Sequence, residues 1–178
     1  MKKLTRRPGL FIGAATAALF VFVLEGCDRF RRPELTVPTA EEAATFYAGH
    51  DAVAAVEVTG NVVEVQVRQP PEQLRRGGSL WAKVGPYIYL FSPDTRSLLE
   101  AYPGVAAVRV VTYAGKDTEV ARVMMRRDTL SDILWRRSQN ILGHALQRGT
   151  EQPTRLEELV NWGERYTDFT YSEAYVPR

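Results

Sequence analysis

The stretch "AVAAVEVTGNVVEVQVRQ", residues 52–69, constrains the fold of this chain more than any other. Two valine-rich runs flank Gly60-Asn61, a pair suited to a two-residue hairpin turn because both residues tolerate positive φ. In the second run Val63, Val65 and Val67 alternate with Glu64, Gln66 and Arg68. Alternation at period two puts one face of the strand in a core and the other in water. A sheet of this kind needs a second layer on its apolar face, and the rest of the sequence supplies helices for it.

"PTAEEAATFYAGH" predicts a helix that Thr39 caps, with Glu42 completing a capping box and Gly49 as the stop. "RQPPEQLRRGGS" reads as a loop, since paired prolines and paired glycines break both periodicities. "SLWAKVGPYIYLF" has Leu80, Val84, Tyr87, Ile88 and Phe91 at helical spacing, with a break expected at Gly85-Pro86. "SPDTRSLLEAYPG" follows as a helix with Ser92 as cap, Pro93 at its first position and Pro103-Gly104 as its end.

"VAAVRVVTY", the turn "AGKD" and "TEVARVMMR" predict a second hairpin. "DTLSDILWRRSQNILGHALQRG" predicts a long helix capped by Thr129. Its apolar stripe is Leu130, Ile133, Leu134, Ile141, Leu142, Ala145 and Leu146. "PTRLEELVNWG" predicts a last helix, with Thr154 and Glu157 as its capping box. In the tail, Phe169, Tyr171 and Tyr175 fall on one side of an extended chain. That segment fits a fifth strand, an arm across the domain or an arm offered to a partner. The expected fold class is α+β: a mainly antiparallel sheet of about four strands, two hairpins, with helices packed on one face. Residues 39–178 form one α+β domain with an aromatic C-terminal tail.

Ahead of this domain stands a leader. Lys2, Lys3, Arg6 and Arg7 precede an apolar run from Leu10 to Leu24, and Glu25, Gly26 and Cys27 follow. The run has 15 residues, so as a helix it spans roughly 22 Å, short of a hydrocarbon core of about 30 Å. A cleaved export signal fits better than a permanent span. "ALFVFVLEGCDRF" resembles the lipobox of bacterial lipoproteins. Leu24 stands three residues before the cysteine and Gly26 directly before it, while Glu25 occupies a position that is small or apolar in that family. The resemblance implies diacylglycerol on the sulfur of Cys27, cleavage before it, and acylation of the new amine. It implies a signal peptide over 1–26 and a lipidated cysteine with a flexible tether over 27–38. The domain is then exported and held by lipid on the outer side of the cytoplasmic membrane or in the outer membrane. The alternative is an uncleaved signal anchor in the cytoplasmic membrane.

Cleavage before Cys27 changes the charge. The leader holds four of the 23 Lys+Arg and one of the 21 Asp+Glu, which leaves 19 against 20, a net charge near −1. This balance gives no support to nucleic acid as a partner. Cys27 is the chain's one cysteine. With it acylated, no thiol is left for a disulfide, a thiolate nucleophile or a cysteine-ligated zinc, and stability rests on apolar packing.

Candidate chemistry is sparse. His50 and His144 are the two histidines, and neither stands in a recognisable triad or zinc spacing. "RRGGS" and "YPGV" lack the lysine of a phosphate-binding loop. Asp128 and Asp132 read as partners of a helix start, and Arg126-Arg127 and Arg136-Arg137 as solvated faces. Trp81, Tyr87, Tyr89 and Phe91 read as core before ligand groove. "LLEAYPGVAAVRV" resembles the helix–turn–strand unit of ferredoxin-like domains, and no ligand or metal site is transferred from that. The expected function is a membrane-tethered, non-catalytic interaction or structural module of the cell envelope with a protein partner and no cofactor. The alternatives are an envelope hydrolase using carboxylates, or a binder of small ligands or lipids.

Overall fold

The fold is given by a computed structural model, which describes residues 35–172 apart from 116–117. Cys27, the leader, most of the tether and Tyr175 lie outside the described residues.

Helix α1 (Ala40–Phe46) starts as its capping box requires: the Glu42 backbone N–H donates to Thr39 Oγ1 and the Thr39 N–H donates to Glu42 Oε2 at 2.8 Å. Strands β1 (Val53–Thr59) and β2 (Val62–Gln69) form the valine hairpin, antiparallel, with Gly60 at φ 60° in the turn. Two helices follow, α2 (Pro71–Leu90) and α3 (Pro93–Ala101). Strand β3 (Ala107–Ala114) then lies parallel to β2, and β4 (Thr118–Arg126) returns antiparallel to β3. Helices α4 (Asp132–Arg148) and α5 (Pro153–Glu164) precede β5 (Asp168–Tyr171), which pairs antiparallel with β4.

The sheet order is β1-β2-β3-β4-β5. The molecule is α+β and its sheet is mostly antiparallel, but it has five strands instead of about four, and the β2–β3 pair is parallel. The parallel pair follows from connectivity: α2 and α3 carry the chain across the sheet's apolar face, so β3 re-enters in the direction of β2. The extra strand is the aromatic tail. Phe169 stacks on Tyr87 with centroids 5.5 Å apart and on Tyr171 at 6.1 Å. Lys83 places its ammonium 4.8 Å from the centre of the Tyr171 ring.

The main apolar core lies between the sheet and the helices, with a smaller cluster of Leu74, Ala82, Val120 and Ala121 beside it. Val63, Val65 and Val67 meet Val108, Val110, Val123 and Met125 from neighbouring strands, and Val84, Tyr87, Phe91 and Leu98 cover them. Of the aromatic stretch, Tyr87 and Phe91 are fully buried and stacked at 5.6 Å, while Trp81 and Tyr89 are half-buried against the core.

Several local expectations are corrected. The expected loop after Gln69 is the first part of α2, because Pro71 sits at an N-terminal position that needs no N–H donor. The non-helical residue inside α2 is Gly78, at φ 56°, and not Gly85-Pro86. Helix α4 is capped by Ser131, whose hydroxyl accepts the Leu134 N–H, while Thr129 belongs to a short 3₁₀ turn. Helix α5 starts on Pro153 after Gln152, and the expected Thr154–Glu157 box is not formed. In α4, Ile133 and Leu146 are 70% and 58% exposed; the buried stripe runs through Trp135, Ser138, Ile141, Leu142 and Ala145. Ser138 is tolerated there because its hydroxyl donates to Leu134 O and accepts the Trp162 indole N–H at 2.8 Å.

Arg127 is no solvated residue. Its guanidinium donates to the backbone oxygens of Leu99, Tyr102 (2.6 Å) and Val105 (2.9 Å), closing the carbonyl end of α3. Part of the expected tether is packed as well: Pro38 is buried and the Gly104 N–H donates to Thr36 O at 2.8 Å.

Candidate functional site: the open face of the sheet

Period-two alternation that buries one side of the sheet exposes the other. Among the described residues no helix packs on that second face. It carries Glu57 on β1, Glu64 and Gln66 on β2, Arg109 and Tyr113 on β3, and Glu119, Arg122 and Met124 on β4. Strand register places these side chains in rows, with Glu57 opposite Glu64, Glu64 opposite Arg109, Arg109 opposite Met124, and Tyr113 opposite Glu119.

Like charges at Glu57 and Glu64 would repel across the strands. The Gln66 amide offsets this by donating to both, at 3.1 and 3.2 Å, and Arg109 Nη1 donates to Glu64 at 3.0 Å. Arg122 grips Glu119 with two N–H groups at 3.1 and 2.6 Å. That hydrogen-bonded carboxylate raises the Arg122 pKa further. Tyr113 stands between the two ion pairs; burial first, then Glu64 and Glu119, push its phenol above the ordinary value. Beneath these long side chains Val111 is fully buried. Arg109 Nη2 meets the thioether of Met124 at 3.8 Å, a weak acceptor that leaves this donor free for a better one.

Beside Met124 the face dips into a hollow of about 410 Å³ lined by Arg109, Arg122, Thr167, Asp168 and Phe169. The arrangement supplies donors, acceptors and a small apolar floor on a rigid sheet.

Comparison with family models, curated proteins and solved structures found no match.

The remaining candidates are dispersed. His50 Nε2 meets Asp94 Oδ2 at 2.7 Å, and its ring stands edge-on to Tyr89 at 5.4 Å. This pair joins the β1 entry to the first turn of α3, beside a buried Tyr47–Thr95 hydroxyl bond of 2.8 Å. The nearby Ser92 hydroxyl accepts the Thr95 N–H as a helix cap. His144 is exposed on α4. Asp128 and Asp132 do not share a helix face: Asp128 pairs with Arg126 and Asp132 with Arg96, each at 3.4 Å. Arg136 and Arg137 are exposed, and Arg137 lies over the Trp162 ring at 4.5 Å. Among the described residues, no group of three or more His, Cys, Asp or Glu is placed to hold a metal. No described helix is long and apolar enough to cross a membrane.

Sequence reading had marked Glu64, Gln66 and Arg68 as a wet face. It missed Arg109, Tyr113 and Arg122 as their companions. The signal was present for Arg109 and Arg122, each a charge within a run of β-formers at the alternation that faces away from the core; Tyr113, itself a β-former, gave none.

Proposed function

We propose that this chain is a lipid-tethered, non-catalytic interaction module of the cell envelope, held through Cys27, which binds a protein partner with the open face of its sheet. The observation that carries the reading is that face: β1 to β4 present ordered guanidinium, carboxylate, amide and phenol groups, and the described helices serve the opposite side. Exposed ion pairs contribute little to folding, a median of about 0–1 kcal/mol, so a braced array of them is better explained by recognition than by stability. The lipobox-like "LEGC" supports the tether, whose last residues, from Thr36 to Pro38, pack on the domain and shorten the spacer.

The test is site-specific photocrosslinking in cells with the full chain. A photoreactive residue replacing Thr170 is expected to capture one protein partner, and the adduct is expected to disappear with R109E and R122E while the fold is retained. An adduct indifferent to those charge reversals, or none at any open-face position, contradicts the reading. The hollow by Met124 favours small-ligand binding as a second reading; there, unlabelled low-molecular-weight envelope extract would compete out the adduct.

A further inference from the structure

Helix α4 buries one face and turns the other to solvent. Ile133, Arg136, Arg137, His144 and Arg148 follow one another along the outward face, all exposed. The helix has one carboxylate, Asp132, which sits in its first turn and pairs with Arg96. Elsewhere the arginines find acids: Arg75, Arg96, Arg109, Arg122 and Arg155 each meet a carboxylate within 2.6–3.1 Å. Among the described residues no ion pair engages Arg136, Arg137 or Arg148. The acids nearest this stripe are on α5, where Glu157 lines the groove beside Arg137 and Glu158 is held by Arg155. In a chain whose charges otherwise balance, three unpaired guanidinium groups on one helix face form a local cationic surface.

The entry point of the chain says what meets that surface. Thr36 accepts the Gly104 N–H at 2.8 Å, just before β3. The first residue of β3, Ala107, pairs with the last of β4, Arg126. Arg127, bonded to Tyr102 O and Val105 O, then leads into α4. The tether therefore arrives at the end of the sheet from which α4 sets out. Leu35, Val37 and Ile133, three of the four exposed large apolar side chains among the described residues, stand at this end. From Cys27 to Leu35 there are eight residue steps, a reach of at most about 28 Å and about 15 Å as a flexible coil. A domain with a radius of gyration of about 14 Å on so short a lead stays against the bilayer. We infer that the outward face of α4 docks on an anionic phospholipid surface, the membrane that holds the tether. Arg136, Arg137 and Arg148 meet lipid phosphates, which guanidinium groups bind bidentately. Ile133 and Leu35 enter the headgroup region as the apolar part of an interfacial helix contact. The inference rests on the tether reading above, and it turns the open face of the sheet away from the bilayer, toward a partner.

The test uses the full chain, extracted from membranes and reconstituted into vesicles of phosphatidylcholine with or without phosphatidylglycerol. Ile133→Cys carries an environment-sensitive fluorophore. In the anionic vesicles its emission is expected to shift to the blue and to be quenched by nitroxide-labelled lipid. In pure phosphatidylcholine, or at high salt, it is expected to return toward its value in water. The same label at Thr170→Cys, on the open face, is expected to stay water-like throughout. Each basic residue near an anionic surface contributes a factor of about five to binding, so R136E with R148E is expected to lower the ratio of docked to free domain by about 25-fold or more. Arg137 is left in place because it packs on Trp162, and circular dichroism confirms that each variant is folded. Label uptake by the wild type reads the tether separately, since an acylated Cys27 takes none. Uptake there would overturn the lipid on Cys27, while the signal at position 133 above the wild type still decides the docking face. Water-like emission at position 133 in anionic vesicles, an equal shift at position 170, or indifference to phosphatidylglycerol and to the charge reversals would each overturn the inference.

Discussion

Gly163 lies in the last turn of α5, where that helix crosses Tyr87 of α2. A methyl group built on it would stand 2.5 Å from Tyr87 Cδ1 and closer still to Cε1 and Cζ. Gly163→Ala therefore sets two effects against each other. Alanine is favoured over glycine in a helix interior by about 1 kcal/mol at most, and less near a terminus. Overpacking a core costs about 1–3 kcal/mol, occasionally more. The structure decides between them through the freedom of the ring. Tyr87 is fully buried, stacked on Phe91 on one side and on Phe169 on the other, and its hydroxyl meets Thr167 Oγ1 at 3.2 Å. A ring held on both faces and at its tip cannot retreat by the ångström needed. The cost falls at the upper end of the range, and the expected net loss is about 2 kcal/mol. Urea denaturation followed by tryptophan fluorescence measures it as a fall in midpoint at constant slope. In a Tyr87→Leu background the obstacle is gone, and the same Gly163→Ala change should become neutral or stabilising. A Gly163→Ala protein as stable as the wild type, or an equal loss in both backgrounds, would refute the packing argument.

Other residues give sharper single tests. Arg127→Ala removes donors from three backbone carbonyls and should destabilise by about 2–4 kcal/mol, with Arg127→Lys failing to restore the fork, as read by thermal or urea unfolding. Ser131→Ala should cost about 1 kcal/mol and Thr129→Ala less than about 0.5 kcal/mol; the reverse order would restore Thr129 as the cap. Burial raises the pKa of Tyr47 and Tyr87 far above the ordinary tyrosine value, with weaker opposing hydrogen bonds from Thr95 and Thr167. A raised folded-state pKa means that stability is full below the unfolded value near 10 and falls as pH rises past it. Unfolding free energy should therefore decline from pH 9 to pH 11, and Tyr87→Phe should flatten part of that decline.

The local chemistry that the sequence made legible was short in range. Gly60-Asn61 gives its hairpin, Thr39 and Glu42 give their capping box, and Ser92-Pro93 starts α3, each through neighbours within four residues. Errors arose where two nearby signals competed. Thr129 and Ser131 both offer a hydroxyl before the same apolar run, and the 3₁₀ turn places the second one at the helix start. Pro70-Pro71 reads as a breaker or as a helix start with equal right, and Gly78 absorbs the bend that Pro86 was expected to cause. Ile133 was misplaced because Trp135, two residues on and so on the opposite face of the helix, fills the core instead. The site was the least legible part. Glu64 and Arg109 are 45 residues apart and meet because β3 returns parallel to β2, a crossover that no local pattern states. His50 and Asp94, 44 apart, meet for the same kind of reason.

The account rests on a folded module held outside the membrane by lipid on Cys27, and the intact mass of the membrane-extracted chain tests it most directly. The predicted species begins at Cys27, contains the 152 residues from 27 to 178, and carries the added mass of a diacylglycerol, with or without a further acyl chain. A membrane-bound species with the mass of residues 1–178 and no lipid would contradict the tether and leave an uncleaved signal anchor in its place.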